Sequence, residues 1–389
     1  MKQAHEDRAE AHGREWRDPQ AVVAQWADAG AADAALLRMK ASPGWWDALA
    51  EAAVTLVVSR EYEHLVLAIS AEPRERVSYI RLPHPSGIAF DAARERLYIA
   101  STRNPNQIFA FGRVSGTLDR RDVTRGAEPA AGRLVPRRSW YLPGCSYVHD
   151  LALIGGRLHA NAVGQNVVVE LGDDGAKSVW WPAGLEQNGA PMTDRNYIQL
   201  NSIAAGPDLA ASFFSASGER PGRYRPGHPA YPVDRRGVIF SGATREPVVR
   251  GLTRPHSARL YRGRLWVDDS GYGEFGIAAD GRFERVGRLP GWTRGLAFAG
   301  DLAFVGTSRV IPRFTQYAPG LDLARSRCAI HAVELSTGSV RGSLEFPDGN
   351  QIFAIEPVPA GWTTGFPFRS GMRKHAARRL FYAFAADGP

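Results

Sequence analysis

Six polar residues occupy equivalent places in this sequence, each opening a short apolar phrase of similar pattern. They are Ser86, His149, Asn201, His256, Arg294 and Gln351. Two imidazoles can exchange protons near neutral pH, and an arginine presents a planar fork to a carboxylate or phosphate. Asn and Gln can orient a substrate through donor and acceptor hydrogen bonds. The set predicts a lyase, isomerase or cyclase-type enzyme in a biosynthetic pathway, with His149, His256 and Arg294 as catalytic residues acting on a polar, anionic small molecule.

The phrase around these residues recurs along most of the chain. In the His256 copy, the residues from 252 to 269 show a polar approach, an apolar run, a Gly turn and a second apolar run, which is typical of a β-hairpin. The six copies lie roughly 40 to 65 residues apart, the period of propeller blades or longer. Complete copies continue with two more strand-like runs. The sequence therefore predicts an all-β fold, a six-bladed β-propeller.

The last copy is incomplete, and this predicts how the propeller closes. The run from Gln351 to Ile355 has no full sequel, whereas three strand-like runs at 55–59, 64–69 and 77–82 precede the first copy. We expect the C-terminal run to supply the inner strand for these N-terminal strands, because closure removes open sheet edges. The predicted parts are a helical extension (1–52), the propeller (53–364) and a C-terminal tail (365–389) with a basic stretch. Helices are predicted to start near Asp18, Ala31 and Trp45.

Propeller topology predicts which residues share one mouth of the central channel. The loop that enters each inner strand and the loop that follows the second strand lie at the same face. Three long connections, Gln187–Leu200, Ser215–Arg236 and Ser308–Arg327, should therefore crowd this mouth. The ends of the second strands add Arg60, Arg103, Gln165, Ser215, Asp269 and Ser308. The predicted substrate-binding residues are Ser86, Asn201, Gln351, Arg103, Asp269, Arg60 and Tyr197. Strand alternation predicts that Asp150 points away from the axis, although Asp150 and Asp269 are the nearest candidates to orient the histidine rings.

Other interpretations of the same residues stay open. A polar channel lining can simply hydrogen-bond water, and a propeller can bind a ligand or a partner protein without catalysis. His149 and His256 could instead hold a divalent metal, completed by Asn201, Gln351 or Asp269, in a metal-dependent lyase or hydrolase. Cys145, close to His149, permits a Cys–His nucleophile. No organic cofactor is expected, because the chain has no phosphate loop and no dinucleotide fingerprint.

Composition disfavours several classes of partner. The net charge is +8, but only four of the 48 basic residues are lysines, and the arginines are scattered rather than clustered. We therefore expect no nucleic-acid partner. No apolar run is long enough to span a membrane, the N-terminus shows no apolar signal segment, and there are two cysteines. These features favour a cytoplasmic protein.

The chain resembles a bacterial family known as domain of unknown function 4915. The resemblance is carried by the stretches 251–271 and 289–298, by Val-His-Asp-Leu-Ala at 148–152 and by Leu-Asn at 200–201, and it covers roughly residues 50 to 360. It implies the propeller fold and no particular activity. Two stretches depart from the family pattern. Pro-Ser-Gly-Ile-Ala (85–89) stands where Pro-Met-Gly-Leu-Ala is expected, and Asn-Ala-Val-Gly-Gln (161–165) stands where the family tends to have Asn-Thr-Arg. Both departures fall at the predicted mouth, which favours a specialised member with its own ligand.

Overall fold

The structure is a computed structural model that describes residues 2–17, 29–73, 75–103, 106–118, 131–172, 175–370 and 382–383. Six antiparallel sheets, each with a core of four strands, form a six-bladed β-propeller, as predicted. The strands of each blade are given from the inner to the outer one. Blade 1 comprises Pro85–Asp91, Arg96–Ser101, Asn106–Arg113 and Leu134–Leu142, and blade 2 comprises Val148–Ile154, Arg157–Ala162, Val167–Gly172 and Gly175–Trp180. Blade 3 comprises Leu200–Ala204, Phe213–Ala216, Gly237–Ser241 and Pro247–Leu252. Blade 4 comprises Pro255–Tyr261, Arg264–Asp269, Glu274–Ala279 and Arg282–Arg288; blade 5, Trp292–Ala299, Leu302–Ser308, Ala329–Glu334 and Val340–Glu345; and blade 6, Ala354–Pro359, Val54–Arg60, Leu65–Ser70 and Arg76–Arg81.

Blade 6 joins the two ends of the chain. The C-terminal strand Ala354–Pro359 runs antiparallel to the N-terminal strand Val54–Arg60, with Val57 opposite Glu356. This confirms the predicted closure, although the inner strand begins at Ala354, three residues later than Gln351. A short outer strand, Phe368–Arg369, pairs with the fourth strand of the same blade.

Tight turns explain why the hairpins form where the sequence indicates. Gly155 and Gly156 connect the first two strands of blade 2 with φ values of 58° and 72°. Arg262 and Gly263 do the same in blade 4, with φ values of 49° and 72°. Two consecutive residues with positive φ produce a turn whose twist matches that of the flanking strands. The apolar faces of adjacent blades pack against each other and bury the Val, Ile, Leu and Phe residues of the strands.

The N-terminal segment packs on blades 5 and 6. Helix Trp45–Glu51 is present as predicted, and its Trp45 side chain is fully buried with an edge-to-face contact to Phe304. The predicted helix from Ala31 is only a short 3₁₀ helix, Ala34–Leu37. The chain extends after it because Lys40–Ala41 adds a fifth strand to blade 5.

The remaining elements are short, apart from one helix. An unpredicted helix spans Lys2–Arg17, and the helix predicted from Asp18 lies outside the described residues. Further 3₁₀ helices are Val163–Gln165, Ala183–Leu185, Ser270–Tyr272, Pro312–Tyr317 and Leu323–Arg325. Two short strand pairs lie outside the blades: Glu186–Gln187 pairs with Ala190–Pro191, and Gly116–Thr117 pairs with Tyr382–Ala383. Across the described ranges, every helix is too short or too polar to cross a membrane.

A β-bulge near the start of the inner strand recurs in blades 1 to 5. The strand register shifts between residues 85 and 88, 148 and 151, 200 and 202, 256 and 259, and 293 and 296. A bulge places an extra residue on one strand and re-aims the side chains beside it. At the start of these strands, simple alternation therefore does not decide which side chains face the channel axis.

Candidate functional site

A cavity of about 520 Å³ opens at one mouth of the channel. All three long connections contribute to its wall: Asn196 comes from the first, Arg225 from the second and Phe314 from the third. The structure thus brings the predicted loops together above the inner strands. The volume lies within the range usual for small-molecule sites.

The cavity wall is strongly positive. Six arginines but only two carboxylates, those of Glu61 and Asp194, line it. The arginines are Arg103, Arg195, Arg225, Arg254, Arg294 and Arg313. Glu61 is itself engaged, since it accepts a hydrogen bond from Thr102 Oγ1 (2.6 Å) and lies 3.4 Å from Arg103 Nε. The field in this cleft favours a negatively charged ligand.

Arg294 lies at the base of this cavity. The residue is buried, with 6% of its surface exposed. Its guanidinium carbon lies 3.3 Å from the centroid of the Phe353 ring, and this cation–π contact holds the planar group in place. Within the described part of the chain, the guanidinium has no hydrogen-bond or ion-pair partner. Burial lowers the Arg294 pKa to about 10, so the group remains charged at neutral pH.

Arg254 is a second buried arginine of the wall that was not among the predicted site residues. Its guanidinium donates to Gln199 Oε1 (2.5 Å), Ser217 Oγ (3.2 Å) and the Pro226 carbonyl (3.0 Å), and it stacks on Tyr317. None of these partners is acidic. Burial lowers the Arg254 pKa to about 10. The Thr-Arg-Pro-His motif contained the signal, but the loop contacts that bury Arg254 are distant in sequence.

The two predicted catalytic histidines lie at different depths. His149 lines the cavity, whereas His256 lies deeper, its ring centroid 5.0 Å from that of Trp292. Burial lowers the pKa of both rings well below its usual value, and the positive charge of Arg294 adds to the effect. Both imidazoles are therefore neutral at pH 7. His256 Nδ1 lies 2.8 Å from the Arg254 carbonyl, which assigns the proton to Nδ1 and leaves Nε2 as an acceptor.

A small void of about 10 Å³ adjoins the cavity and connects the two rings. His149, Asn201, His256 and Arg294 all line it. Three buried atoms of these residues, His149 Nδ1, His256 Nε2 and Asn201 Oδ1, have no hydrogen-bond partner among the described residues. Asn201 is held in place because its Nδ2 donates to Ser217 Oγ and to the Pro255 carbonyl, both at 2.9 Å. A void of this size has space for about one water molecule, which needs such polar partners.

Asp150 faces the channel, which corrects the expectation that it points away from the axis. Its Oδ2 accepts hydrogen bonds from Arg259 Nη1 (2.7 Å) and from the Ile203 N–H (3.0 Å), and both Asp150 and Arg259 line the small void. The bulge between residues 148 and 151 interrupts the alternation, so consecutive side chains reach the axis. Asp150 therefore pairs with Arg259, while the Arg254 carbonyl orients the His256 ring.

Several predicted substrate-binding residues bond to the protein backbone or to other side chains instead of lining the cavity wall. Ser86 is fully buried and donates to the Val148 carbonyl (2.8 Å). Gln351 accepts from the Tyr62 N–H (3.3 Å), and its own N–H donates to Glu63 (3.2 Å). Ser86 thus joins blade 1 to blade 2, and Gln351 joins the start of the last inner strand to a turn of its own blade, because buried polar groups require internal hydrogen bonds.

Two more predicted residues have structural partners. Arg60 is fully buried, donates to the Leu36 carbonyl (2.7 Å) and lies 3.4 Å from Glu63. Asp269 accepts from the Thr253 N–H (2.5 Å) and from Arg235 (3.1 Å), and burial raises its pKa to about 7.

Tyr197 lies just behind the cavity wall, where its hydroxyl donates to Asp194 (2.9 Å). Ser215 and Ser308 also bond across strands, to Ser202 (2.5 Å) and to the Ile352 carbonyl (3.1 Å). Of the predicted substrate-binding set, Arg103 lines the cavity and Asn201 lines the void.

Aromatic residues form part of the wall that sequence reasoning did not assign to the site. Tyr62, Trp292, Phe314, Tyr317 and Phe353 lie on one side of the cavity. Burial, with a smaller contribution from Glu61, raises the Tyr62 pKa to about 12, so its hydroxyl is protonated at neutral pH. Cys145 also lines the cavity and is exposed.

A metal would depend on few ligands. Over the described ranges, no three side chains drawn from His, Cys, Asp and Glu are grouped as metal ligands. An ion in the small void would meet two imidazoles, the Asn201 amide oxygen and the Asp150 carboxylate, which already pairs with Arg259, and the positive charge of Arg294 lies beside it. Imidazole and amide groups can bind divalent ions, but a neighbouring guanidinium repels them.

Solved structures show the same architecture. A chain of a nidogen/laminin complex matches with a TM-score of 0.52 at 10% identity, covering 79% of this chain and 99% of that one. A protein of unknown function from Bacteroides caccae also matches, with a TM-score of 0.48 at 11% identity, covering 78% of this chain and 98% of that one. XC5397 from Xanthomonas campestris, described as a gluconolactonase, matches with a TM-score of 0.44 at 13% identity, covering 80% of this chain and 89% of that one. At these identities the likeness concerns the fold alone.

The sequence itself gives the more specific assignment. A search of curated proteins finds no match. The model of one family, described as a domain of unknown function (DUF4915), matches residues 43–363, which include all six blades and the cavity. The chain therefore belongs to the DUF4915 family.

Proposed function

We propose that this protein is a small-molecule enzyme whose active site is the cavity at the channel mouth. It binds a polar, anionic substrate and catalyses a proton-transfer reaction of the lyase, isomerase or cyclase type. The observation that carries the proposal is Arg294, a buried guanidinium that forms no hydrogen bond or salt bridge with an acidic group among the described residues and faces a cavity with an excess of arginines. The likeness to solved propellers contributes only the fold.

Arg294 supports anion binding because burying a charge without a partner costs free energy. The cation–π contact with Phe353 offsets part of that cost but supplies no negative charge. A carboxylate or phosphate in the cavity would supply the missing charge and accept two parallel hydrogen bonds from the planar fork. Arg254 would strengthen the positive field beside it.

The neutral imidazoles support proton transfer. His149 lines the cavity and can remove a proton from a substrate carbon or hydroxyl that Arg294 has positioned. His256 presents an unprotonated Nε2 to the small void that both rings line, so it can accept that proton from His149 and return it by the same route, with Asn201 beside both rings. The positive charge of Arg294 stabilises the anion that forms when the proton leaves.

Anion binding is tested first with simple probes. Binding of citrate, inorganic phosphate and pyrophosphate is measured by calorimetry on the intact protein and on Arg294→Lys. The lysine variant retains the charge but loses the bidentate fork. We expect about 10- to 100-fold weaker binding, since hydrogen bonds to charged groups contribute about 1.5–3 kcal/mol. Arg313→Lys, an exposed arginine of the same wall, is the control and should have little effect.

Proton transfer is tested with the acids that bind. In D₂O, an enzyme that removes a proton from carbon exchanges that hydrogen, and NMR follows the loss of the substrate signal. Exchange that disappears in His149→Gln while binding persists supports the proposal. Binding without exchange for any bound acid supports a non-catalytic binding protein instead. If exchange stops with a chelator and returns with a divalent ion, the histidines act as metal ligands.

A further inference from the structure

We infer that the substrate of this site carries a flat aromatic ring close to its acidic group. The inference rests on the proposed function and names the substrate class for the same cavity. It comes from the aromatic side of the wall, which anion binding alone does not explain.

The aromatic side has an unusual common orientation, centred on Phe314. The Phe314 ring lies nearly parallel to Tyr62 (7°, centroids 6.0 Å apart), to Trp292 (16°, 6.5 Å) and to Tyr317 (26°, 5.4 Å). Aromatic pairs in proteins also adopt edge-to-face arrangements. Because the planes of these four rings are close to parallel, a planar group that enters beside them can stack on an outer ring face in the same orientation.

These rings are not simply part of the hydrophobic core. Tyr62, Trp292 and Phe314 are each only partly buried, and each lines the cavity. Trp292 also has a buried indole N–H without a hydrogen-bond partner among the described residues. Apolar surface that remains wet in the free protein stabilises a complex when a ligand covers it. The rings are therefore placed to contact a ligand.

The aromatic side is also close to the positive charge. The Arg294 guanidinium carbon lies 5.9 Å from the Trp292 centroid and 3.3 Å from that of Phe353. A ligand whose acid binds Arg294 therefore has its next atoms beside Trp292, and the Phe314 ring follows, its centroid 6.5 Å from that of Trp292. This separation suits an acid attached directly, or through a short link, to a ring. An aliphatic polyanion would use the arginines and leave the aromatic surface uncovered.

Matched pairs of probes separate the ring from the charge. Benzoate is compared with cyclohexanecarboxylate, and phenyl phosphate with cyclohexyl phosphate, by ligand-observed NMR and calorimetry. Each pair keeps the acid and the size but removes the flat π face. We expect the aromatic member to bind about 5- to 10-fold more tightly, which is the stacking free energy typical of aromatic pairs expressed as a ratio of affinities. The two pairs also distinguish a carboxylate from a phosphate as the acidic group.

Variants assign the preference to the wall. Phe314→Leu should abolish the preference for aromatic probes while leaving cyclohexanecarboxylate binding nearly unchanged, whereas Arg294→Lys should weaken both members of each pair. Tyr141→Leu is the matched control, because Tyr141 is 62% exposed and lies outside the cavity. Equal affinities within both pairs would overturn this inference but leave anion binding intact. If Arg294→Lys binds every probe as well as the intact protein, the proposed function itself fails.

Discussion

The buried arginines of this protein fall into two classes according to their partners. Arg60 lies 3.4 Å from Glu63 inside blade 6, and Arg259 lies 2.7 Å from Asp150 in the channel. Within the described part of the chain, Arg254 and Arg294 form no hydrogen bond or salt bridge with a carboxylate. The paired arginines have internal counter-ions, as expected for buried charges. Both unpaired ones line the mouth cavity, where a ligand can supply the counter-charge.

The same arginines set the pH range in which the histidines work. Because burial and Arg294 lower the pKa of both imidazoles, each ring becomes protonated only well below pH 6.5. A reaction that needs neutral His149 should therefore keep its rate from pH 7 down to pH 6.5 and lose it in more acidic solution. This places the acidic limb of the pH–rate profile below the ordinary imidazole range.

Variants of the two histidines test their roles at this scale. We expect His149→Gln and His256→Gln to fold normally and to reduce substrate proton exchange by about 10²- to 10⁴-fold each. The measurement is the exchange rate in D₂O between pH 4.5 and 8, with the folded fraction checked by circular dichroism at each pH. His228→Gln, in an exposed loop, is the control. Near-normal exchange in both variants would mean that the rings only line a hydrated channel.

At the scale of elements, the bulges determine which side chains reach the site. Gly87 occupies the bulge of blade 1, and its backbone lies against the bulge of blade 2. A Cβ atom there would stand 2.5 Å from the Asp150 Cα. Only glycine allows the two strands to approach so closely. The contact fixes the strand that carries His149 and Asp150.

Gly87→Ala should therefore disturb the site as well as the fold. Inserting a methyl group into such a packed junction costs about 1–3 kcal/mol, and the blade 2 strand must move to accept it. We expect a lower melting temperature together with weaker anion binding, measured by calorimetry. Gly116→Ala is the matched control, because a Cβ at Gly116 meets no atom within 4 Å. A Gly87→Ala protein that melts and binds like the intact one would show that the junction is not tightly constrained.

The bulges also explain which parts of the site could be predicted from the sequence. The recurring phrase was sufficient to predict six blades and the mouth of the channel at which the site lies, because a polar residue opens each copy at the same position. It could not show that Asp150 turns inward, since a bulge changes the period of alternation. Nor could it separate Ser86 and Gln351, which form internal structural hydrogen bonds, from His149 and Arg294, which face the cavity. Arg254 was missed because residues 28 and 55 positions away bury it.

At the scale of the whole molecule, the site depends on a ring that only the C-terminal strand completes. Ala354–Pro359 covers the inner edge of Val54–Arg60, and six residue pairs join the two strands. Phe353, whose ring packs against the Arg294 guanidinium, directly precedes this strand. Closure of the propeller and assembly of the cavity are therefore the same event, and losing the strand removes both.

Truncation after Asp348 tests this dependence. The truncated chain would leave Leu56, Val57 and Val58, all fully buried in the intact protein, beside an unpaired sheet edge. We expect it to lose cooperative thermal unfolding in calorimetry and to bind no anion. The matched control ends after Ser370 and keeps both Ala354–Pro359 and Phe368–Arg369. Among the described residues it loses one short pairing, that of Tyr382–Ala383 with Gly116–Thr117, so its melting temperature should stay within a few degrees of the intact value. The opposite outcome is a chain ending at Asp348 that melts cooperatively at the intact temperature. It would show that the three N-terminal strands of blade 6 are stable without their inner strand and that the propeller does not need this closure.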